Sequence, residues 1–208
     1  MKDYGTFRRH ILAVPFELIM AAGAIVTVLR HDWAHVATSL FTLAVSFAPL
    51  IIERLLRVRI PPFLQMIYVA FVFASMFSGE VLGMYGRIWV WDDIMHVISG
   101  LLVGAGSVLC LVDLERHQRI RIPVWLKLVF VFCMGASVAV LWEIVEFTSD
   151  SLFGTFLQRG SLSDTMFDLI EGVIGTLCMV GLFWLHLQGR RVLGLSVVIQ
   201  RYIRLNRS

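Results

Sequence analysis

The sequence predicts an all-α, polytopic membrane protein with six transmembrane helices in one bundle. Three observations lead to this fold class: the composition, the number of long apolar stretches and the placement of charge. Of the 208 residues, 58% are apolar and 16% are charged, whereas a soluble domain is about half apolar and a quarter charged. This composition excludes a soluble globule, a disordered chain, a coiled coil and a collagen.

Six apolar stretches have the length of about 20 residues that a helix needs to cross a hydrocarbon core. The connections between them are short, so residues 1–190 are predicted to form one transmembrane domain. In chain order the stretches are Ile11–Leu29, Trp33–Ile52, Phe63–Leu82, Trp91–Val112, Val124–Phe147 and Thr165–Leu187.

The predicted tail, residues 191–208, is basic and amphipathic. Arg201, Arg204 and Arg207 follow at intervals of three in an otherwise apolar stretch and so lie near one helical face. Two interpretations remain open: a helix on the anionic inner leaflet or a simple positively charged flank.

The placement of lysine and arginine predicts that both termini are cytoplasmic in a bacterial inner membrane. Of the 18 basic residues, 15 fall in the termini and in the second and fourth connections, and only Arg30, Arg87 and Arg159 fall on the other side. Basic residues are enriched in cytoplasmic loops. Because this pattern accounts for the net charge of +3, no nucleic-acid partner is expected.

Nine carboxylates and His96 are predicted to lie near the non-cytoplasmic ends of the last four helices. Ionisable residues are costly within a bilayer and therefore indicate function. Most of these residues follow helical spacing, so each of three consecutive helices presents one acidic stripe. The carboxylates are Glu80, Asp92, Asp93, Glu143, Glu146, Asp150, Asp164, Asp168 and Glu171.

Helical rise places the three stripes in one layer in the outer third of the bilayer, a pattern that predicts a divalent metal site. Repulsion among partly desolvated carboxylates favours a compensating cation, and oxygen ligands with one imidazole suit Mg, Mn, Ca, Fe or Zn. The predicted ligands are Asp92, Asp93, His96, Glu143, Glu146, Asp168 and Glu171, with Glu80, Asp150 and Asp164 as secondary candidates. The inner half of the bilayer is expected to hold almost no ionisable group except Glu17 and His186.

The three cysteines, Cys110, Cys133 and Cys178, lie in apolar stretches at no ligand spacing. They are therefore interpreted as small buried thiols.

Four motifs resemble those of the YjdF-like family of bacterial inner-membrane proteins, over roughly residues 77–177. This resemblance implies a six-helix architecture and little about the chemistry. The motifs are Gly79-Glu80-x-x-Gly83-x-Tyr85, Trp91-Asp92-Asp93-x-x-His96-x-x-Ser99-Gly100, Trp142-Glu143-x-x-Glu146 and Asp164-Thr165-x-x-Asp168.

A weaker similarity reaches the VanZ-like proteins, which are linked to glycopeptide-antibiotic resistance. The similar residues include Asp92 with His96, the Glu143-x-x-Glu146 pair, Arg159 and Asp168. Glu146 stands where that family has glutamine, which makes this site more acidic.

The resulting functional prediction is a membrane-embedded, divalent-metal-dependent enzyme that hydrolyses or transfers a lipid or isoprenoid-linked headgroup at the outer leaflet. His96 is expected to act as a ligand or general acid–base, Glu171 as a ligand or base, and Arg159 or Arg87 as an anion clamp. Two alternatives remain open. One is a cation- or proton-coupled transporter, which needs an ion site near the midplane, and the other is a non-enzymatic structural protein.

Overall fold

The computed structural model describes residues 10–155, 157–158 and 161–206, and every regular element in these ranges is a helix. The predicted all-helical membrane fold class is therefore confirmed. Five helices have the length and apolarity to cross a membrane: His35–Leu56, Pro62–Val81, Trp91–Gln118, Val124–Leu152 and Leu162–Leu187. The first predicted span forms a shorter apolar helix, Val14–Leu29, of 16 residues.

The chain divides into two compact units, residues 1–92 with 200–208, and residues 93–199. The first contains α1 (Val14–Leu29), α2 (Trp33–Ser46), α3 (Ala48–Leu56), α4 (Pro62–Val72) with a π-helical continuation (Phe73–Val81), and α5 (Met84–Arg87). The second is built mainly from α6 (Trp91–Gln118), α7 (Val124–Phe153) and α8 (Leu162–Leu187). The division falls within the first turn of α6.

The predicted second span is interrupted at Phe47, where α2 ends and α3 begins. Pro49 lies at the start of α3, where its missing N–H costs no helical hydrogen bond. At the other end of α2, Asp32 caps the helix and its carboxylate lies 2.6 Å from Nδ1 of His35. The hydrogen bond from His35 lowers the pKa of the Asp32 carboxyl.

The core of the first unit is an apolar cluster between α1, α4 and the π-helical segment. Met20, Val69 and Phe77 are fully buried there. The ring of Phe73 stacks on that of Phe77 at 5.5 Å and is tilted against Phe16 at 5.4 Å. These contacts hold the π-helical segment against α1.

The three long helices of the second unit alternate in direction as a membrane bundle does. Gly135 and Ala139 of α7 face Thr176 and Gly172 of α8 respectively, so α7 and α8 are antiparallel. The Gly100 carbonyl of α6 lies 3.5 Å from Oγ1 of Thr176, and the contacts along α6 and α8 advance together, so these two helices are parallel.

The last helix, α9 (Leu193–Leu205), forms within the predicted amphipathic tail. One of its faces buries Leu195, Ile199 and Tyr202, and the Arg201 guanidinium lies 4.9 Å from the centre of the Phe63 ring. Its place at a membrane surface stays a prediction.

The interpretation of the cysteines as buried is wrong. Cys110, Cys133 and Cys178 are all exposed on the helices of the second unit. A membrane helix presents apolar side chains to lipid as well as to its neighbours, so an apolar context in the sequence does not indicate burial inside the protein.

Candidate metal centre

Asp92, His96 and Asp168 bring three ligand atoms together near the N-terminal ends of α6 and α8. One donor atom from each side chain lies within 4.8 Å of the other two. Nε2 of His96 is 3.7 Å from Oδ1 of Asp168, and these side chains are only 11% and 6% exposed. The group combines two carboxylates and one imidazole in a largely desolvated position.

Helical spacing and glycine contacts explain why these side chains meet. Asp92 and His96 are four residues apart on α6 and therefore share one of its faces. Gly100 and Gly172 follow His96 and Asp168 by four residues each, one turn further along α6 and α8. A Cβ atom built on Gly100 would overlap the Gly172 carbonyl oxygen, so the absence of side chains lets the two helices approach closely beneath the cluster.

A second glycine contact lies in the same interface between α6 and α8. A Cβ atom on Gly175 would overlap the Val97 carbonyl oxygen. Small residues permit such close backbone approach between membrane helices. The geometry of the cluster thus depends on glycines as well as on the three side chains that form it.

The separations within the cluster fit a common cation. Oxygen and nitrogen ligands lie about 2.0–2.6 Å from magnesium, zinc or calcium, so two ligands of one ion are at most about 4–5 Å apart. The limit of 4.8 Å within the group falls in that range. The 3.7 Å between Nε2 of His96 and Oδ1 of Asp168 is longer than a direct hydrogen bond and also falls in the range of distances between two ligands of one ion.

Four of the seven predicted ligands lie outside this compact group in the part of the chain that the structure describes: Asp93, Glu143, Glu146 and Glu171. On α7, Glu143 is buried and Oε2 accepts a long hydrogen bond of 3.4 Å from the Gln158 amide. Glu146 accepts a hydrogen bond of 2.8 Å from the Trp142 indole. Its carboxylate is therefore engaged along its own helix.

The secondary candidates have different surroundings. Asp150 accepts hydrogen bonds from the residues that follow α7 and so shapes that loop. Asp164 lies in the first turn of α8, and its backbone N–H donates to the Ser161 hydroxyl that caps this helix. Glu80 and Arg87 belong to the first unit, where Arg87 is exposed. Arg159 lies outside the described residues.

A cleft of about 700 Å³ opens between the C-terminal part of α7 and the N-terminal part of α8. Its walls are mainly apolar, with Val140, Ile144, Phe147 and Leu169 among them, and Glu143 lies in its lining. Asp168 is adjacent in sequence to Leu169. The N-terminal part of α8 presents Leu169 to the cleft and Asp168 to the three-residue cluster.

The first unit contains a buried polar network that the sequence pattern did not predict. It joins His10, Glu17, Glu53 and Gln65. The inner half of the bilayer was expected to hold little besides Glu17 and His186. Glu53 lies one residue beyond the predicted second span, which ends at Ile52. The available signal was Gln65, a polar residue inside an otherwise apolar stretch.

Comparison with known proteins identifies a family but no activity. Residues 11–189 match the family model described as "Predicted membrane protein (DUF2238)". A Thermotoga maritima protein named "Uncharacterized protein" is 28% identical over 145 residues, which cover 70% of this chain and 74% of that protein. No solved structure matches the chain.

Proposed function

The chain belongs to the DUF2238 family of predicted membrane proteins, and from that premise we propose a membrane-embedded, divalent-metal-dependent enzyme acting on lipid or isoprenoid-linked headgroups. The observation that carries the proposal is the convergence of Asp92, His96 and Asp168 within 4.8 Å. The finer resemblance to YjdF-like and VanZ-like proteins stays a prediction and is not needed for it.

Asp92, His96 and Asp168 would hold the ion. A divalent cation supplies a Lewis acid that polarises a phosphoryl or acyl oxygen and lowers the pKa of bound water. The two carboxylates offset the charge of such an ion, and burial strengthens that attraction. His96 has a second nitrogen, so its ring can accept or donate a proton at the edge of the site.

The cleft between α7 and α8 supports a lipid as the substrate class. Its apolar walls lie in helices that are apolar enough to cross a membrane, where an acyl or isoprenoid chain has access from the bilayer. The buried Glu143 carboxylate in the cleft lining is a candidate acceptor for a headgroup hydroxyl or a water proton. The charge distribution of the loops favours the outer leaflet for this end of the helices.

Metal analysis tests the site. The wild-type protein, purified in detergent and incubated with Mn²⁺, is expected to retain one ion per chain after desalting, and His96→Ala with Asp168→Asn is expected to reduce affinity at least about tenfold. The matched control is His117→Ala with Asp113→Asn, a histidine–aspartate pair on α6 at 3.2 Å whose histidine is exposed. Equal metal content in all three proteins, or none in the wild type with Mn²⁺ or Zn²⁺, contradicts the proposal.

Activity is tested on vesicles of phosphatidylethanolamine and phosphatidylglycerol that also contain an isoprenoid diphosphate. Metal-dependent headgroup release by the wild type, reduced about 100-fold or more in the site variant, supports an enzyme. Metal retention without any change in these lipids would contradict this choice of substrate class.

Transport coupled to protons or cations is the second candidate, and the buried network in the first unit favours it. Ionisable groups inside membrane proteins often mark ion pathways, and this network lies among residues expected to be apolar. Flux across proteoliposomes under a pH gradient, without headgroup release, would favour transport over the enzyme.

A further inference from the structure

A hydrogen-bonded chain of buried side chains runs through the first unit. His10 lies just before α1, Glu17 belongs to α1, Glu53 to α3 and Gln65 to α4, and all four are buried. Nε2 of His10 is 2.6 Å from Oε1 of Glu17, and Nδ1 is 3.0 Å from Oε1 of Gln65. A histidine and two glutamates are therefore connected through hydrogen bonds in a buried position.

The contacts of Gln65 fix the protonation of one histidine nitrogen. Nε2 of Gln65 donates to Oε1 of Glu53 at 3.1 Å and to the Ile60 carbonyl at 3.2 Å. Both partners are acceptors in this arrangement, since Oε1 of Glu53 also accepts a hydrogen bond of 2.6 Å from the Ile60 N–H. The Gln65 oxygen is consequently the acceptor toward His10, and Nδ1 of His10 carries a proton.

The remaining contact, between Nε2 of His10 and Glu17, then holds a single proton. Either the neutral Glu17 carboxyl donates to the Nε2 lone pair, or the imidazolium donates to the carboxylate. Transfer of the proton breaks the O–H bond, forms the N–H bond and leaves the net charge of the pair at zero. Its loss to solvent would leave two lone pairs facing each other in a buried position, which is unfavourable.

Other charged or titratable side chains on the neighbouring helices make their contacts away from His10 and Glu17. The Tyr68 hydroxyl donates to the Val45 carbonyl at 3.1 Å, and the Arg201 guanidinium lies over the Phe63 ring. Arg54 and Arg57 are exposed.

Three buried hydroxyl groups on α2 extend the polar interior beyond this pair. The Ser46 hydroxyl lies 3.3 Å from Oε1 of Glu17, and Thr42 and Ser39 follow along the same face of the helix. All three are fully buried, and the Ser39 oxygen has no hydrogen-bond partner among the described residues. Glu17 is thus continuous with a polar stripe inside the first unit.

We propose that His10 and Glu17 form a buried proton-binding site, with Gln65 as the residue that positions His10 in the required tautomer. The ligand is a single exchangeable proton. This inference stands whether or not the cluster of Asp92, His96 and Asp168 binds a metal, because it rests only on residues of the first unit.

Histidine nitrogen NMR of the full chain in detergent tests the proposal directly. In the wild type, Nδ1 of His10 is expected to be protonated, and its Nε2 signal and the Glu17 carboxyl carbon signal are expected to shift together with pH. In Glu17→Gln the amide can donate to Nε2, so His10 is expected to remain the neutral Nδ1–H tautomer with no pH response. The signal of His10 is assigned by its loss in His10→Gln.

The chain offers a matched control in His35 and Asp32, which also lie 2.6 Å apart but are 40% and 43% exposed. The wild-type proton between His10 and Glu17 is expected to exchange with solvent much more slowly than that of His35. Asp32→Asn is expected to change only the His35 signals. Equal exchange rates at the two pairs would overturn the buried site.

Gln65→Met separates positioning from simple packing, because it keeps the side-chain length and removes the acceptor. This variant is expected to release His10 into a mixture of tautomers. Gln65→Asn is not expected to restore the Nδ1–H tautomer, because its amide is one carbon shorter. An Nε2–H tautomer in the wild type, or independent titration of His10 and Glu17, overturns the proposal. The His10 tautomer and the joint pH response of His10 and Glu17 are measured on the wild type, so they remain decisive if a variant fails to fold.

Discussion

Asp150 uses its carboxylate to organise the loop after α7. It accepts hydrogen bonds from the Thr155 hydroxyl at 2.6 Å and from the backbone N–H groups of Leu157 and Gln158 at 2.8 and 3.0 Å. These hydrogen bonds give Asp150 a structural role that needs no metal. A helical spacing of charge therefore does not by itself distinguish a ligand from a loop-forming residue.

Asp150→Ala is expected to destabilise the protein by about 1–3 kcal/mol, because two backbone donors and one hydroxyl lose their acceptor. Thermal unfolding measures the loss, and hydrogen exchange at Leu157 and Gln158 is expected to accelerate. Metal affinity should stay unchanged. The control is Thr148→Ala, an exposed position on α7; loss of metal with unchanged stability would instead make Asp150 a ligand.

The Trp91 indole stabilises the π-helical segment by donating to the Ala74 carbonyl at 3.1 Å. A π-helical turn displaces backbone carbonyls from the usual pairing of an α-helix. Trp91→Phe keeps the aromatic ring and removes this donor, so a loss of about 1–3 kcal/mol is expected in thermal unfolding. Trp89→Phe, at a side chain that is 84% exposed, should have no effect, and an equal loss in both variants would contradict this role.

At the level of single residues, spacing in the sequence names Asp92, His96 and Asp168 among many candidate ligands but does not show how the remaining acids are used. Spacing assigns a residue to a face of its own helix, but contacts between helices decide its partner. Glu143 and Glu146 share a predicted stripe, yet one lines a cleft and the other binds Trp142. Gln65 carries no charge, so the pattern of carboxylates in the sequence does not indicate its network.

Helix pairing in the second unit depends on glycines that have no space for a side chain. Gly100→Ala is expected to force α6 and α8 apart and to cost about 1–3 kcal/mol or more, with reduced metal affinity because His96 and Asp168 separate. The matched control is Gly106→Ala on α6, where a Cβ atom meets nothing within 4 Å. Alanine there should be neutral or slightly stabilising, since it favours the helix.

Thermal unfolding and Mn²⁺ affinity measured on both variants check this prediction. Equal stability and equal Mn²⁺ affinity of the Gly100 and Gly106 variants would mean that the interface between α6 and α8 tolerates a methyl group at Gly100. In that case the proximity of the two helices would not be the feature that holds the cluster together.

At the level of elements, hydropathy predicted the order of the long apolar helices well and their ends less well. The α6 helix extends six residues past Val112 to Gln118, because polar residues can continue a helix outside the hydrocarbon core. Phe47 and the π-helical segment interrupt two predicted spans. Window-based hydropathy averages over such local changes and cannot detect them.

For the whole molecule, the charge distribution predicts that the N-terminal end of α8 faces outward and its C-terminal end faces the cytoplasm. Ser163 and Gln188 mark the two ends of this helix and are both exposed. In a variant with Cys110, Cys133 and Cys178 replaced by serine, Ser163→Cys should react with a membrane-impermeant maleimide in spheroplasts. Gln188→Cys should react only after permeabilisation, and the reverse pattern would invert the topology.

The most direct test of the metal centre is the position of bound Mn²⁺ by anomalous X-ray scattering from crystals of the full chain. One strong peak is expected at a ligand distance of about 2.0–2.4 Å from Asp92, His96 and Asp168, and it is expected to disappear in the variant carrying His96→Ala and Asp168→Asn. A fully loaded crystal without a peak between these three side chains would contradict the metal centre, and with it the proposed chemistry.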